Sequence, residues 1–215
     1  VTGVQTCALP ISIANAQPLH VNYSRGEIAI GHNGNLVNAG ILRDELEAYG
    51  SIFQTTMDSE IFIHLMAHSK HSKKEDTFID ALKQVRGAYS LVFLTERKMV
   101  GVRDPHGYRP LVLGDLNGAY VLASETTSFD LIGAKYVRDI EPGEIVFIDE
   151  KGLKSVKPFE KADRISKCVF EFIYFARPDS NIFGKNVYEV RKNLGKELAK
   201  EHPVEADLVI PVPDS

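Results

Sequence analysis

The sequence predicts an α+β fold, because patterns typical of helices and of strands fall in separate blocks of the chain instead of alternating. A strand–turn–strand pattern comes first, and three helical patterns follow it. Short strands separated by turn residues then continue to about residue 149. After residue 168 the pattern changes to an apolar strand, a helix and a second apolar strand. We therefore expect a first domain over residues 13–160 and the start of an α/β domain over residues 168–215.

The first domain is predicted to begin with a β-hairpin. Residues 19–24 and 27–31 alternate apolar and polar side chains around the turn sequence Ser24-Arg25-Gly26. This places the motif His32-Asn33-Gly34-Asn35 just past the end of the second strand. Three helices with one apolar face each follow, near residues 38–49, 58–68 and 76–85. Asn38 and Asp58 stand where helix N-caps are expected.

The strands after the helices are predicted to form hairpins or a meander, and not a parallel βαβ repeat. Their alternating patterns cover residues 89–95, 99–103, 110–114, 119–124 and 144–149, with an edge strand near 154–157. Residues 160–166 are charged and read as a connector. The second domain is expected to contain a strand from Cys168, a helix over about 186–201 and a strand over 206–212.

Composition and charge favour small-molecule chemistry over nucleic-acid or membrane binding. The 215 residues are 44% hydrophobic and carry a net charge of −4, with lysines and arginines scattered along the chain. The apolar runs are far shorter than the roughly 20 residues that span a bilayer. Two cysteines provide neither a disulfide framework nor a CxxC pair, so we expect a reducing, cytoplasmic location.

Residues 1–12, VTGVQTCALPIS, do not fit the rest of the chain and are interpreted as a non-native leader. A signal peptide is the alternative. It would need a basic first segment and a continuous apolar segment, and this stretch has neither. These residues are therefore left out of the fold prediction.

Two motifs carry a family resemblance: HNGN at residues 32–35 and YFARPDS at residues 174–180. Supporting stretches are NAQP at 15–18, TTMDSE at 55–60 and RDPHGYRPL at 103–111. Together they make residues 13–215 similar to the amidophosphoribosyltransferase family of class II glutamine amidotransferases. The resemblance implies an incomplete N-terminal-nucleophile αββα sandwich followed by a phosphoribosyltransferase-type α/β domain. It also implies that glutamine nitrogen is transferred to 5-phosphoribosyl 1-diphosphate, giving 5-phosphoribosylamine in the first step of purine synthesis.

Asn33 and Gly34 are the candidate catalytic residues. A glutaminase must stabilise the oxyanion that forms when the amide carbon is attacked, and this needs fixed hydrogen-bond donors. An Asn side chain can donate from its NH₂ group, and a Gly lets substrate approach a backbone N–H closely. From these residues alone, a simple Asn-Gly turn is favoured over a catalytic role. The resemblance assigns Asn33 and Gly34 to the oxyanion hole.

Asp58 is the candidate substrate-binding residue. By position it is a helix N-cap, whereas the resemblance places it at the α-ammonium group of glutamine, and both roles can coexist. Arg103, Asp104 and Arg109 lie in a loop between strands, where Arg109 can pair with Asp104 as a structural corner or contact substrate. The SETT sequence at 124–127 resembles the family's ASES stretch but departs from it after Glu125.

The resemblance places the nucleophile on a cysteine at the mature N-terminus, upstream of residue 15. Cys7 lies in the leader-like stretch and lacks the glycine-rich sequence that follows that cysteine. We therefore expect the chain as given to be an inactive fragment. Cys168 is predicted to be a core residue, although some similar enzymes carry an iron–sulfur ligand at this position. His64 and His68 have the i, i+4 spacing of a metal pair, but without a third ligand solvated histidines are favoured.

The resemblance further implies Mg²⁺ at the transferase site, purine nucleotides as regulators, and a homo-oligomer. Other class II amidotransferases are an alternative, but residues 168–214 argue against them because the domains downstream in those enzymes are unrelated. A regulatory homologue without catalysis is a third hypothesis.

Overall fold

The computed structural model describes residues 12–71, 73–160 and 162–210, with only the backbone of Lys74. Within these residues, one sheet contains six strands in the order β1-β2-β3-β4-β8-β9. These strands are β1 (Leu19–Tyr23), β2 (Gly26–Leu36), β3 (Gly87–Thr95), β4 (Met99–Arg103), β8 (Ile145–Asp149) and β9 (Gly152–Val156). Every pair of neighbouring strands is antiparallel.

Three helices cover one face of this sheet: α1 (Ala39–Ala48), α2 (Ser59–His68) and α3 (Lys74–Gln84). Their buried side chains form one core with alternate residues of the strands. In β3 these inward residues are Tyr89, Leu91 and Phe93. Since side chains alternate along a strand, Val92 points to the other face, where a second core lies.

A second sheet of three strands packs on that other face, in the order β6-β5-β7. It consists of β5 (Val112–Leu116), β6 (Ala119–Ala123) and β7 (Lys135–Asp139). The short helix α4 (Thr127–Ile132) lies over it, and its Phe129 leaves no room for a side chain at Gly114. The layers are therefore helix, sheet, sheet and helix, which confirms the predicted α+β fold and its αββα sandwich.

The hairpin at the start, the three helices and most strands lie where the sequence predicts them, whereas two local predictions are wrong and two elements were missed. Strand β2 continues through residues 32–36, so the HNGN motif lies within a strand and not past its end. Helix α4 and strand β7 were not predicted. The Asn38 side chain does not cap helix α1; it bonds to Gln84 and Arg86 instead.

The segment from residue 168 differs from its prediction. Its apolar beginning forms a short π-helical turn (Glu171–Phe175) in place of a strand. A two-residue hairpin, β10 (Asn181–Ile182) and β11 (Lys185–Asn186), then leads into helix α5 (Val187–Glu201). Asn186 caps this helix by accepting from the Glu189 N–H. Residues 206–210 are not a strand, and residues 211–215 lie outside the described part.

No helix in the described parts of the chain combines the length and the apolar character needed to cross a lipid bilayer.

Candidate active site

The candidate site lies on strand β2, where one edge of the strand has no neighbouring strand among the described residues. Strand β1 pairs with β2 only as far as Ile30, whereas β3 follows the other edge to Leu36. On this edge, side chains bond to the backbone groups that a neighbouring strand would otherwise pair with. The carboxamide of Gln17 accepts from the His32 N–H at 2.6 Å and donates to the His32 carbonyl at 2.9 Å. Further along, the Leu36 N–H donates to Asp58 Oδ2 at 2.9 Å.

Gly34 lies between these two side-chain contacts. Backbone amides alternate along a strand, so the Gly34 N–H faces the same edge as those of His32 and Leu36. Its backbone has a φ of +153°, which favours glycine. A Cβ at this position would lie 2.0 Å from the Ala88 carbonyl oxygen and 2.9 Å from His32 Nε2. The site therefore requires glycine for its close approach to strand β3.

Asp58 precedes helix α2, but its carboxylate makes no hydrogen bond that caps this helix. It faces strand β2, where Oδ1 lies 3.1 Å from His32 Nδ1 and Oδ2 accepts from Leu36. Burial acts to raise the pKa of Asp58, but the His32 hydrogen bond and charge and the Leu36 N–H outweigh it and lower the pKa below its ordinary value. A carboxylate that stays ionised and is 21% exposed can receive a cation.

His32 fixes the direction of that carboxylate. Its side chain is 2% exposed, and because a carboxylate only accepts, Nδ1 donates to Asp58. Nε2 is buried and has no hydrogen-bond partner among the described residues. The ring also packs edge-on against Phe62 of helix α2. His32 thus connects the strand with the start of the helix.

The Asn33 carboxamide is held at both ends. Arg109 donates to its Oδ1 from Nε at 3.0 Å and from Nη2 at 2.6 Å. Asn33 Nδ2 donates to Ser124 Oγ at 3.2 Å. Because an amide NH₂ has two hydrogens, one remains for another acceptor. Asn33 and Gly34 therefore place a side-chain donor and a backbone donor on adjacent residues.

Arg109 belongs to the RDPHGYRPL loop, which buried Arg103 holds in place through the carbonyls of Gly107, Arg109 and Ile140. The predicted Arg109–Asp104 pair is wrong. Asp104 instead accepts from backbone N–H groups of this loop and of strand β3. Burial raises the pKa of Asp104 despite these bonds and the nearby Arg103 charge.

The guanidinium of Arg109 is in contact with the π-helical turn as well. Its Nη1 lies 2.8 Å from Glu171 Oε1, and its Cζ lies 4.5 Å from the centre of the Phe175 ring. Glu171 is 3% exposed, and the approach of Arg109 to its Oε1 is an ion pair that lacks hydrogen-bond geometry. A second contact lies nearby, where Glu125 accepts from Ser180 Oγ at 2.6 Å and from the Arg177 N–H at 2.9 Å. The YFARPDS segment is thus packed against the residues that support Asn33.

The structure places Asn33 and Gly34 next to each other on strand β2 and the Asp58 carboxylate against His32 and Leu36 of the same strand, an arrangement of two donors and one carboxylate. It can stabilise negative charge that develops on an oxygen and bind a positive group beside it. Cys168 lies elsewhere, with its N–H on the Tyr108 carbonyl, and is half-buried. Cys7 lies outside the described residues.

The two candidate metal histidines are engaged separately. His64 lies 3.6 Å from Glu60, and His68 contacts Ser51. In the described part of the chain, no group of three or more His, Cys, Asp or Glu side chains could hold a metal ion. Cys168 therefore has no co-ligands within that part.

Sequence reasoning missed Gln17, Ser124 and Glu171 as parts of the site, and it gave Arg109 no role toward Asn33. Gln17 and Ser124 do lie in stretches that carry the family resemblance. No periodic pattern distinguishes any of these residues, because each acts through a contact between distant parts of the chain.

Comparisons with known proteins show the family to which the chain belongs. Residues 7–130 match the family model of the glutamine amidotransferase domain. An amidophosphoribosyltransferase of Bacillus subtilis is 49% identical over 202 residues, which is 94% of this chain and 42% of the relative. One from Rhizobium etli is 47% identical over 209 residues, or 95% and 42%. The chain therefore spans about two fifths of the length of these relatives.

Solved structures show the same similarity. The glutamine phosphoribosylpyrophosphate amidotransferase of B. subtilis, complexed with ADP and GMP, superposes with a TM-score of 0.91 at 48% identity, over 95% of this chain and 45% of that one. A structure described as the allosteric regulatory enzyme of purine biosynthesis gives a TM-score of 0.89 at 49% identity, over 94% and 43%. With a family model that covers more than half of its residues, the chain belongs to the glutamine amidotransferase family, and its relatives in this family are amidophosphoribosyltransferases.

Proposed function

We propose that this chain carries the glutamine site of an amidophosphoribosyltransferase. The protein would transfer the amide nitrogen of glutamine to 5-phosphoribosyl 1-diphosphate, giving 5-phosphoribosylamine, glutamate and diphosphate in the first step of purine synthesis. The observation that carries this proposal is strand β2, which holds Asn33 and Gly34 side by side and bonds the Asp58 carboxylate at Leu36. The similarity to named amidophosphoribosyltransferases over 94–95% of the chain supports the choice of acceptor.

In this proposal, Asp58 binds the α-ammonium group of glutamine. Its pKa below the ordinary value supports this role, because the carboxylate is charged at neutral pH. A carboxylate has about four lone-pair sites, and His32 with the Leu36 and Ser59 N–H groups uses three of them, so one remains for an ammonium hydrogen.

Asn33 Nδ2 and the Gly34 N–H stabilise the oxyanion. Attack on the amide carbon moves the C=O electron pair onto oxygen, and donors fixed beforehand meet that charge without reorganising. The oxyanion would take the Nδ2 hydrogen that does not point to Ser124. The N-terminal cysteine that the resemblance implies would be the nucleophile, and its proton would pass to the leaving amide nitrogen. Collapse of the tetrahedral species then releases ammonia for transfer to the acceptor and leaves a glutamyl thioester, which water hydrolyses to glutamate and the free thiol.

Further parts of the proposal rest on the family alone. Mg²⁺ would act with 5-phosphoribosyl 1-diphosphate outside the described residues, and purine nucleotides would regulate a homo-oligomer in the cytoplasm. The related B. subtilis structure contains ADP and GMP, which supports nucleotide control. Cys168 as an iron–sulfur ligand is also a proposal. Iron content and visible absorbance of the purified protein, lost in Cys168→Ser, would test it.

The test of function is a pair of assays on the protein expressed from its complete gene. Glutamine hydrolysis is measured as ammonia release, and synthesis as diphosphate formed from 5-phosphoribosyl 1-diphosphate with either glutamine or ammonia as nitrogen donor. We expect both donors to support synthesis. Hydrolysis without any synthesis would contradict the proposed acceptor, and the absence of both activities would contradict the proposed function.

A further inference from the structure

We propose that Arg109 is a positioning residue for the oxyanion site, holding Asn33 Oδ1 so that Nδ2 faces the substrate, and that Glu171 of the downstream segment holds Arg109 in turn. This inference rests on the proposed function for its catalytic consequence. The contacts themselves are observed at 2.6 and 3.0 Å for Arg109–Asn33 and at 2.8 Å for Arg109–Glu171.

The orientation of an Asn carboxamide is ambiguous by shape, because its oxygen and nitrogen can exchange places by rotation. A guanidinium removes the ambiguity. Arg donates from every nitrogen and accepts nothing, so only Asn33 Oδ1 can face Arg109. The NH₂ group must then point away from Arg109, toward Ser124 and the open edge of strand β2. The rotated carboxamide would present an acceptor to the oxyanion and would repel it.

Arg109 is itself held on three sides. Its backbone carbonyl accepts from Ser90 Oγ and from Arg103 Nε. The Phe175 ring lies against its guanidinium, and the carboxylate of Glu171 is beside Nη1. With the Arg109 side chain 16% exposed and that of Glu171 3% exposed, the pair is shielded from solvent. The guanidinium therefore has little freedom to leave Asn33.

The matched control is Arg138, which also pairs with a buried glutamate. Its Nη2 lies 2.7 Å from Glu144 Oε1, and the Glu144 side chain is 3% exposed. Arg138→Met thus removes a comparable ion pair from the same domain. It makes no described contact with Asn33.

The first experiment measures glutamine hydrolysis by Arg109→Met, Arg109→Lys and Arg138→Met. Arg109→Met should lower kcat by at least about tenfold and at most by the 10²–10³-fold that loss of an oxyanion donor costs. The KM should not change, because Asn33 Nδ2 contacts the oxyanion only in the transition state. Arg109→Lys, which still donates, should recover part of the loss, and Arg138→Met should keep the parent kcat. In an Asn33→Ala background, Arg109→Met should lower kcat by less than a further factor of about three, because the residue that Arg109 positions is already gone. A full multiplicative loss in that background would overturn the proposal.

The second experiment does not depend on activity. In the ¹⁵N-labelled protein, the side-chain NH₂ signal of Asn33 is assigned by its loss in Asn33→Ala. Arg109→Met should move this signal, Glu171→Gln should move it less, and Arg138→Met should leave it in place. An Asn33 signal unaffected by Arg109→Met would refute the positioning contact. If the protein does not hydrolyse glutamine but this signal moves, the proposed function fails and the contact stands.

Discussion

Gly34→Ala should destabilise the protein strongly, because two separate costs meet at this residue. The new Cβ would lie 2.0 Å from the Ala88 carbonyl oxygen, whereas carbon and oxygen normally approach to about 3.3 Å. Strands β2 and β3 would have to separate locally by roughly 1.3 Å, and overpacking of this kind costs about 1–3 kcal/mol. The φ of +153° adds about 1–3 kcal/mol of backbone strain for alanine. The expected total is therefore about 2–6 kcal/mol.

Substitutions at two other glycines allow the backbone strain to be measured apart from the steric clash of the new Cβ. Gly152 has a φ of +105° and open space around its would-be Cβ, so Gly152→Ala should show the backbone strain alone. Gly40 lies in helix α1 with open space and no unusual φ, so Gly40→Ala should be neutral or stabilising by up to about 1 kcal/mol.

The measurement is the free energy of unfolding from urea denaturation of the three variants and the parent. We expect the order Gly34→Ala, Gly152→Ala, Gly40→Ala, from the largest loss to the smallest. A loss for Gly34→Ala no greater than that for Gly152→Ala would refute the close approach of the two strands. Since natural domains are stable by about 5–15 kcal/mol, the upper part of the expected range can unfold the protein.

Three further predictions concern the site. Asn33→Ala should lower glutamine hydrolysis by roughly 10²–10³-fold and spare synthesis from ammonia, and equal loss of both activities would make Asn33 structural. Asp58→Asn should chiefly raise the KM for glutamine, because Asp58 contacts the α-ammonium group in the ground state and in the transition state alike. An unchanged KM would rule out this contact. Arg109→Met should cost about 3–5 kcal/mol of stability at neutral pH, because it leaves the Glu171 carboxylate buried without a partner. Burial raises the pKa of Glu171 despite Arg109, with Glu125 adding to the rise. In this variant the loss should therefore be complete above the folded pKa, shrink as pH falls, and disappear well below about 4.3, where the residue is protonated in both the folded and the unfolded state. Urea denaturation of Arg109→Met and the parent across this pH range measures the loss, and a loss independent of pH would contradict the role given to the Glu171 charge.

Much of the fold could be predicted because the strands and helices of the sandwich bury regular patterns. Helix α2 is an example, with Ile61, Phe62, Leu65 and Met66 all buried as their spacing predicts. Strand β7 could not be found in this way. Its Lys135, Tyr136 and Val137 are exposed, so no alternation marks it.

Other predictions failed because tertiary contacts overrode a local preference. Asn33-Gly34 favours a turn in isolation, but pairing with β3 over residues 28–36 keeps the chain extended. The apolar run after Cys168 suggested a strand. In the structure it winds into a π-helical turn whose buried Glu171 faces Arg109.

The candidate site was predicted only in part, for reasons of distance along the chain. Asn33 and Asp58 were named from motifs. The structure places Asn33 on strand β2 and the Asp58 carboxylate against His32 and Leu36 of the same strand. The contact between Asn33 and Arg109 joins residues 76 positions apart. No local pattern encodes such a contact, because it follows from how the two sheets stack.

The side chains on the open edge of strand β2 have a consequence for association between proteins. Backbone amides and carbonyls at an unpaired strand edge are a template to which a foreign strand can add, and this is a common route to aggregation. Gln17 occupies both backbone groups of His32, and Asp58 occupies the amide of Leu36. An intruding strand would have to displace a carboxamide and a charged carboxylate before it could form its first bonds. The same polar groups that prepare this edge for a small ligand thus also close it to another polypeptide.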